Sequence, residues 1–263
     1  MIKLETKSFL GISIVDVSYN TFVDSVTTSI QHNGPINVMS LNLTTLKRFN
    51  EEFIYFLKSF DYTTADGKGL VFFSGLLGEK IMNHLSIPRI CDRIITHCHE
   101  NDKKLYLLGA EPDVNENAIN NLRKIYPGIK IMGHHGYFDV NQMTNVINDL
   151  LSYTPDVVLV GISSPKKERV ILKFSKKYKN SINIACGGYL DIIAGKVNKA
   201  PDLIHRMGME WLFRFFQEPR RMFSPMLLNG LFFIFYFFPK SLIIKYILKE
   251  NPLLINFVRA NDK

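Results

Sequence analysis

A chain of 263 residues, 46% hydrophobic and 21% charged, is long enough for one large α/β domain or a domain plus an appendage, and indicates neither disorder nor a polytopic membrane protein. The net charge of +8 is a property of the tail: from Lys196 onward eleven Lys and Arg face five Asp and Glu, around the most apolar run, Leu231 to Phe238. Basic charge next to eight consecutive apolar residues fits an anionic membrane surface better than nucleic acid.

At the start, Lys3, Glu5 and Lys7 interrupt the chain before an apolar h-region forms, so no signal peptide is read there and cytoplasmic is the default expectation. Three widely spaced cysteines, Cys91, Cys98 and Cys186, suggest a reducing compartment rather than a disulfide framework. Residues 2–15, with Ile2, Ile12, Ile14 and Val15 around Gly11, predict a short hairpin. Phe22, Val23, Val26 and Ile30 then recur at helical spacing behind Asp16 and Ser18 as caps, which predicts a helix over 17–31. Ile36 to Met39 reads as a buried strand ending in Ser40-Leu41-Asn42, followed by a helix over about 43–58. From Phe60 a β-leaning approach runs into Thr64-Ala65-Asp66-Gly67-Lys68-Gly69 and a helix-like Leu70 to Leu77.

Further on, Lys104–Gly109, Ile129–Met132, Asp156–Ile162 and Ile182–Cys186 read as strands, with helices at Val114–Ile125, Val140–Leu151 and Pro165–Tyr178 between them. Continuous apolar strands alternating with helices predict a Rossmann-like, mostly parallel sheet with helices on both faces, an α/β fold. Residues 1–195 are expected to be one catalytic domain, and 196–263 a helical, basic and apolar appendage that associates with membrane.

Functional groups in such sheets collect at the carboxyl ends of the strands. That rule brings Ser40, Asn42, Asp66, His134 to Phe138, Ser163 to Lys166 and Gly187-Gly188-Tyr189 onto one rim. Asp66, between Ala and Gly with another Gly nearby, stands at a loop tip where a ligand can approach; its bland reading is a cap on the helix that follows. Ser163-Ser164-Pro165-Lys166-Lys167-Glu168 is a helix start with Ser as cap, Pro at the first helical position and two cations, a combination that suits phosphate and also suits an exposed first turn. Neither GxGxxG nor GxxxxGK[ST] occurs.

Cys91, His97, Cys98 and His99 lie close in sequence but on a helical stretch that points them in different directions, so core or surface positions are expected there and no metal site. His134 and His135 are expected to diverge at a strand end, with one of them free to serve a ligand. Cys186, before Gly187, reads as a buried small hydrophobe, no base being visibly partnered with it. Arg89, Asp92 and Asp191 are charged residues at or near the rim.

Four stretches together resemble the WecG/TagA/CpsF family of bacterial glycosyltransferases, over roughly residues 10–221. They are Asp66-Gly67-Lys68-Gly69, Gly136-Tyr137-Phe138 after a His pair, Val160 to Glu168, and Gly187 to Arg221 with GGYLDIIAGKVNKAP and GMEWLFRFFQEPRR, which holds the only tryptophan, Trp211. The resemblance implies inverting, metal-independent transfer of a sugar from a UDP-sugar to a polyprenyl-pyrophosphate-linked saccharide at the inner face of the bacterial plasma membrane, with no cofactor. It implies Asp66 as the general base and Ser40, Asn42, Gly67, Arg89, Asp92, His135, Tyr137, Lys166, Lys167, Glu168, Gly187, Gly188 and Asp191 as substrate-binding positions. Arg214, Arg220 and Arg221 fall on the appendage arginines that neutralise the leaving nucleotide diphosphate.

The chain departs from the family pattern at Lys167 for the usual Gln, which changes donor recognition because lysine cannot accept a hydrogen bond. Lys199 stands where Arg is usual, and Ser163 where Gly is. A different class, a non-catalytic nucleotide-sugar-binding or membrane-scaffold protein on the same rim, is opposed by Asp66 and favoured only by Lys167. In the tail, Met226 to Phe238 is too short for a span of about 20 residues, so an in-plane or re-entrant anchor flanked by Arg220, Arg221, Lys240 and Lys245 is expected. A spanning helix, or one buried between copies in a homo-oligomer, is the alternative.

Overall fold

The hairpin consists of β1 (Thr6–Phe9) and β2 (Ile12–Val15), antiparallel and turned by Leu10 and Gly11. Then follow α1 (Tyr19–Gln31), β3 (Ile36–Leu41), α2 (Glu51–Ser59), β4 (Tyr62–Ala65), α3 (Lys68–Leu76) and α4 (Ile87–Glu100). The second half contains β5 (Leu105–Gly109), α5 (Pro112–Ile125), β6 (Ile131–His134), α6 (Met143–Tyr153), β7 (Val157–Gly161), α7 (Lys166–Lys177), β8 (Ile182–Ala185), α8 (Tyr189–Ile193) and α9 (Glu210–Gln217). This computed structural model describes residues 3–31, 36–43, 45–48, 50–201, 203–204, 209–219, 235–236, 239 and 243. The expected tail anchor over 226–248 lies, but for a few isolated positions, outside the described residues.

One eight-stranded sheet runs β1-β2-β4-β3-β8-β7-β5-β6, parallel throughout except for the hairpin, as the apolar strands predict. Two apolar layers cover it. Phe22 and Val26 of α1, Ile90 and Ile94 of α4, and Ala118 and Leu122 of α5 pack one face; Phe53 of α2, Val146 and Leu150 of α6, and Val170 and Phe174 of α7 pack the other. Right-handed crossovers require this division, because strand order reverses direction along the chain. Leu70 of α3 belongs to the second layer and Ile87 of α4 to the first, so residues 77–86 pass over the carboxyl edge of the sheet between them.

Buried amides help to set the register at the centre. Asn183 Nδ2 donates to Asn37 Oδ1 at 2.9 Å across the β3–β8 seam, and Asn37 Nδ2 donates to Ser175 Oγ at 3.3 Å. A slip by one residue would leave these groups unpaired in an apolar interior, which costs on the order of 1–3 kcal/mol per group.

One predicted element divides. Instead of a continuous helix over 43–58, a 3₁₀ turn covers Thr45–Arg48 and α2 begins afresh, because Asn50 caps it by accepting from Phe53 N at 2.8 Å.

Candidate active site

Asp66 follows the last residue of β4, and its amide donates to Leu41 O of β3 at 2.9 Å. The crossing segment is stitched above it, with Leu85 N donating to Ala65 O at 2.9 Å. Gly67 turns the chain with φ 102°, a value that a side chain rarely adopts, and leads into α3 without any side-chain cap. The capping reading of Asp66 is therefore redirected. Its carboxylate lies by the amide of Ile87, in the first turn of α4, which favours the charged form, and α3 has no side-chain cap.

Burial pushes the Asp66 carboxyl up to about 7, the Glu210 carboxylate of α9 adds to this, and the Ile87 amide partly offsets it. A carboxyl that ionises near neutrality is matched to taking a proton from a hydroxyl. His84 Nε2 stands 4.0 Å from Asp66 Oδ1. Neither His84 nor Glu210 was singled out from sequence. His84 lies in irregular chain with no motif around it, and Glu210 reads locally as an acid at a helix start.

Next along the rim, Ser40 pairs in register with Thr64. Asn42 closes the following turn, its Oδ1 accepting Thr45 N at 3.0 Å. After β8, Cys186 is buried with its thiol pushed up to about 12 by burial, as expected of a core residue and not of a nucleophile. Gly187 and Gly188 lead into α8, and Arg214 Nη2 of α9 reaches back to Gly188 O at 3.3 Å and Asp191 Oδ2 at 3.5 Å. Arg214 Nε also stands 3.6 Å from Glu218. Arg220 and Arg221 lie outside the described residues.

At the β7 end, Ser164 is not the cap of α7; its hydroxyl donates to Glu168 Oε1 at 2.6 Å, and Pro165 occupies the cap position. Glu168 is fully buried, with Lys167 Nζ 3.3 Å from the same oxygen. Lys166 is spent on the neighbouring loop. Its ammonium donates to Gly136 O at 2.9 Å and to Phe138 O, and lies 3.5 Å from the centre of the Phe138 ring. The His134 and His135 rings do not diverge: β6 ends between them and the turn stacks them 4.4 Å apart. Burial and the nearby His134 and Lys166 hold His135 below its usual range. Tyr137 is 67% exposed over a depression of about 350 Å³ that also touches Asp139, Gln142 and Lys166.

Arg89 and Asp92 serve contacts between elements. Arg89 lies 5.1 Å over the Tyr19 ring of α1, and Asp92 accepts from Tyr189 of α8 and from Lys199. Among the described residues no group of three or more His, Cys, Asp or Glu is placed to hold a metal ion.

The floor between these parts is backbone. A Cβ on Gly109 would fall 2.4 Å from Gly161 O, and one on Gly161 would fall 2.9 Å from Gly187 O. Among the described residues, Ser86 Oγ, His135 Nδ1 and Glu168 Oε2 are buried on rim segments without a hydrogen-bond partner from the protein. Buried polar groups are nearly always satisfied, so these atoms are open to a polar partner, water or ligand. From β4 to β6 it crosses five strand spacings, about 24 Å at ~4.8 Å each, enough for an extended, multi-part substrate.

Residues 7–245 match the glycosyl transferase WecG/TagA/CpsF family. The chain belongs to that family and is a glycosyltransferase. Among curated WecG/TagA/CpsF-like relatives, the N-acetylglucosaminyldiphosphoundecaprenol N-acetyl-beta-D-mannosaminyltransferase of Staphylococcus aureus strain MW2 is 28% identical over 172 residues, 65% of this chain and 67% of that protein. The protein of the same name from strain MRSA252 is 29% identical over 165 residues, 63% of this chain and 65% of that one. The match thus spans about two thirds of the length of these relatives. Within the WecG/TagA/CpsF family assignment, the acid loop, the GYF loop and the β7–α7 turn all stand on one sheet edge.

Proposed function

We propose that this chain moves a hexose or N-acetylhexosamine from a UDP-sugar to an undecaprenyl-pyrophosphate-linked saccharide, with inversion, in surface polysaccharide or teichoic-acid-type synthesis. The named reaction of the relatives, which uses a diphosphoundecaprenol-linked acceptor, supports the acceptor class. The observation that carries the reading is Asp66, a carboxyl with its pKa at about 7 at the carboxyl end of β4.

In this mechanism the acceptor hydroxyl attacks the anomeric carbon while its proton passes to Asp66. The bond from that carbon to the diphosphate oxygen breaks, and the electron pair leaves with UDP. His84 stands beside the base and steadies the carboxylate as it changes charge. Arg214, with Arg220 and Arg221 of the same motif, neutralises the leaving diphosphate. The depression beneath Tyr137, at the far end of the edge from Asp66, takes the nucleoside end of the donor, and Lys167 faces the diphosphate between them. Residues 1–195 then form the catalytic domain and 196–263 the appendage that brings the arginines to a membrane surface, at its cytoplasmic face. Among the described residues no helix is long and apolar enough to cross a membrane.

The test is turnover by the purified chain on N-acetylglucosaminyl-diphosphoundecaprenol with a panel of UDP-sugars. Asp66→Asn is expected to lower kcat by about 10²–10⁴ while UDP binding persists. Donor binding without turnover by the wild-type chain on any acceptor would overturn the enzyme mechanism in favour of a binding protein. Deleting 226–263 is expected to weaken sedimentation with anionic vesicles, and undiminished sedimentation would refute the anchor.

A further inference from the structure

The helix that follows Asp66 is apolar on the wrong side as well as the right one. Leu70, Ser74 and Leu77, spaced as one helical face, are buried at 0%, 0% and 1% exposure. On the opposite stripe Phe72 is 63% exposed and Leu76 46%, and Met82, in the segment just beyond, is 57% exposed. Phe72 is held in place, its ring edge-on to Phe73 at 5.4 Å, and Phe73 packs on the core. A helix apolar all round is ordinarily buried in protein or lipid, and apolar side chains concentrated on one face mark a contact surface.

Charge identifies the occupant. Lys68 heads the Phe72–Leu76 stripe, and Lys80 stands exposed just past its end. Between Lys68 and His84 the single acid is Glu79, which is turned inward to accept Leu10 N at 2.8 Å. Aromatic and aliphatic side chains bracketed by lysines fit the headgroup boundary of an anionic bilayer. Lys68 stands two residues after Asp66 and Phe72 six, so a lipid-linked acceptor would enter the site from that side.

We propose that the outward face of α3, with Met82, docks on an anionic bilayer and presents Asp66 to the diphosphate-linked sugar at the membrane surface, a contact separate from the C-terminal appendage. This rests on the acceptor class proposed above. To test it, Phe72→Trp is made with Trp211→Phe, so that it is the sole tryptophan in the full chain, and mixed with phosphatidylglycerol vesicles carrying brominated acyl chains. A blue shift with strong quenching is expected. Absence of quenching overturns the proposal, as does buried-type emission before lipid is added with no quenching afterwards, which would mean that the chain itself covers the face.

As a second measurement, Phe72→Asp combined with Leu76→Asp is expected to raise KM for the undecaprenyl-linked acceptor by about tenfold or more. Turnover on a short-chain, water-soluble acceptor should stay unchanged. Equal loss on both acceptors overturns the proposal, and so does dissociation of a dimer without loss of vesicle binding, which would assign the face to a second copy. If the wild-type chain turns over neither acceptor, the reading of its reaction fails, while the quenching result still decides the docking.

Discussion

His84 Nε2 lies 4.0 Å from Asp66 Oδ1, on a segment that reaches the end of β4 only by crossing the carboxyl edge of the sheet. With the Asp66 carboxyl at about 7, kcat/KM is expected to rise with pH and level off above that value. Asp66→Asn should abolish this limb. His84→Gln should keep UDP affinity but lower kcat, by less than Asp66→Asn does, as read from initial rates across pH 5–9.

Glu210 reaches the same carboxyl from α9 and raises its pKa. Glu210→Gln is therefore expected to move the rising limb to lower pH. An unmoved limb in the rate profile would mean that α9 does not face Asp66 in the working enzyme.

The same carboxyl makes a stability prediction. Because its folded pKa is raised, the folded chain still holds this proton where the unfolded chain has lost it. This contribution is thus present at low pH and lost as pH rises from the usual carboxylate value of 3.8 to about 7. Asp66→Asn should then melt higher than wild type at pH 8, by at least about 2–4 °C for each ~1 kcal/mol relieved. The gap should close towards pH 4, as scanning calorimetry at the two pH values would measure.

Arg214 is held by Gly188 O, Asp191 and Glu218, on the rim where β8 ends. Arg214→Ala is expected to lower kcat by about 10²–10³, the cost of removing one donor from a developing anion. Arg214→Lys should recover only part of this, because a point charge cannot reproduce the fork of the guanidinium. Single-turnover rates separate this effect from donor binding.

Lys166 pins the carbonyls of Gly136 and Phe138. Lys166→Met should loosen the loop that carries Tyr137 and weaken UDP binding by about tenfold, or ~1.4 kcal/mol. Calorimetric titration with UDP measures it.

Much of this architecture was legible in local pattern. Strands such as Val157–Gly161, apolar on both faces, fit a covered parallel sheet, and the rule that ligands gather at strand ends places Asp66, Ser40 and Gly187 on one edge from sequence alone. The motif spacing in Asp66 to Gly69 and Gly187 to Arg221 carried the family. Side-chain partners were less legible. Ser164 reads as a cap and serves Glu168 instead; the bonds from Lys166 to the carbonyls of Gly136 and Phe138 were not legible at all. A local sequence specifies which groups a residue can bond, not which neighbour from a distant strand arrives first.

Periodicity and composition by themselves thus determined the α/β class, the order of elements and the rim on which Asp66 stands, because apolar spacing and turn residues act over a few positions. Only the tertiary structure decided what surrounds that carboxyl: the amide of Ile87, the imidazole of His84 and the charge of Glu210. These come from chain brought back over the sheet edge, and the pKa of a partly buried acid is set by whatever charges and dipoles the fold places around it.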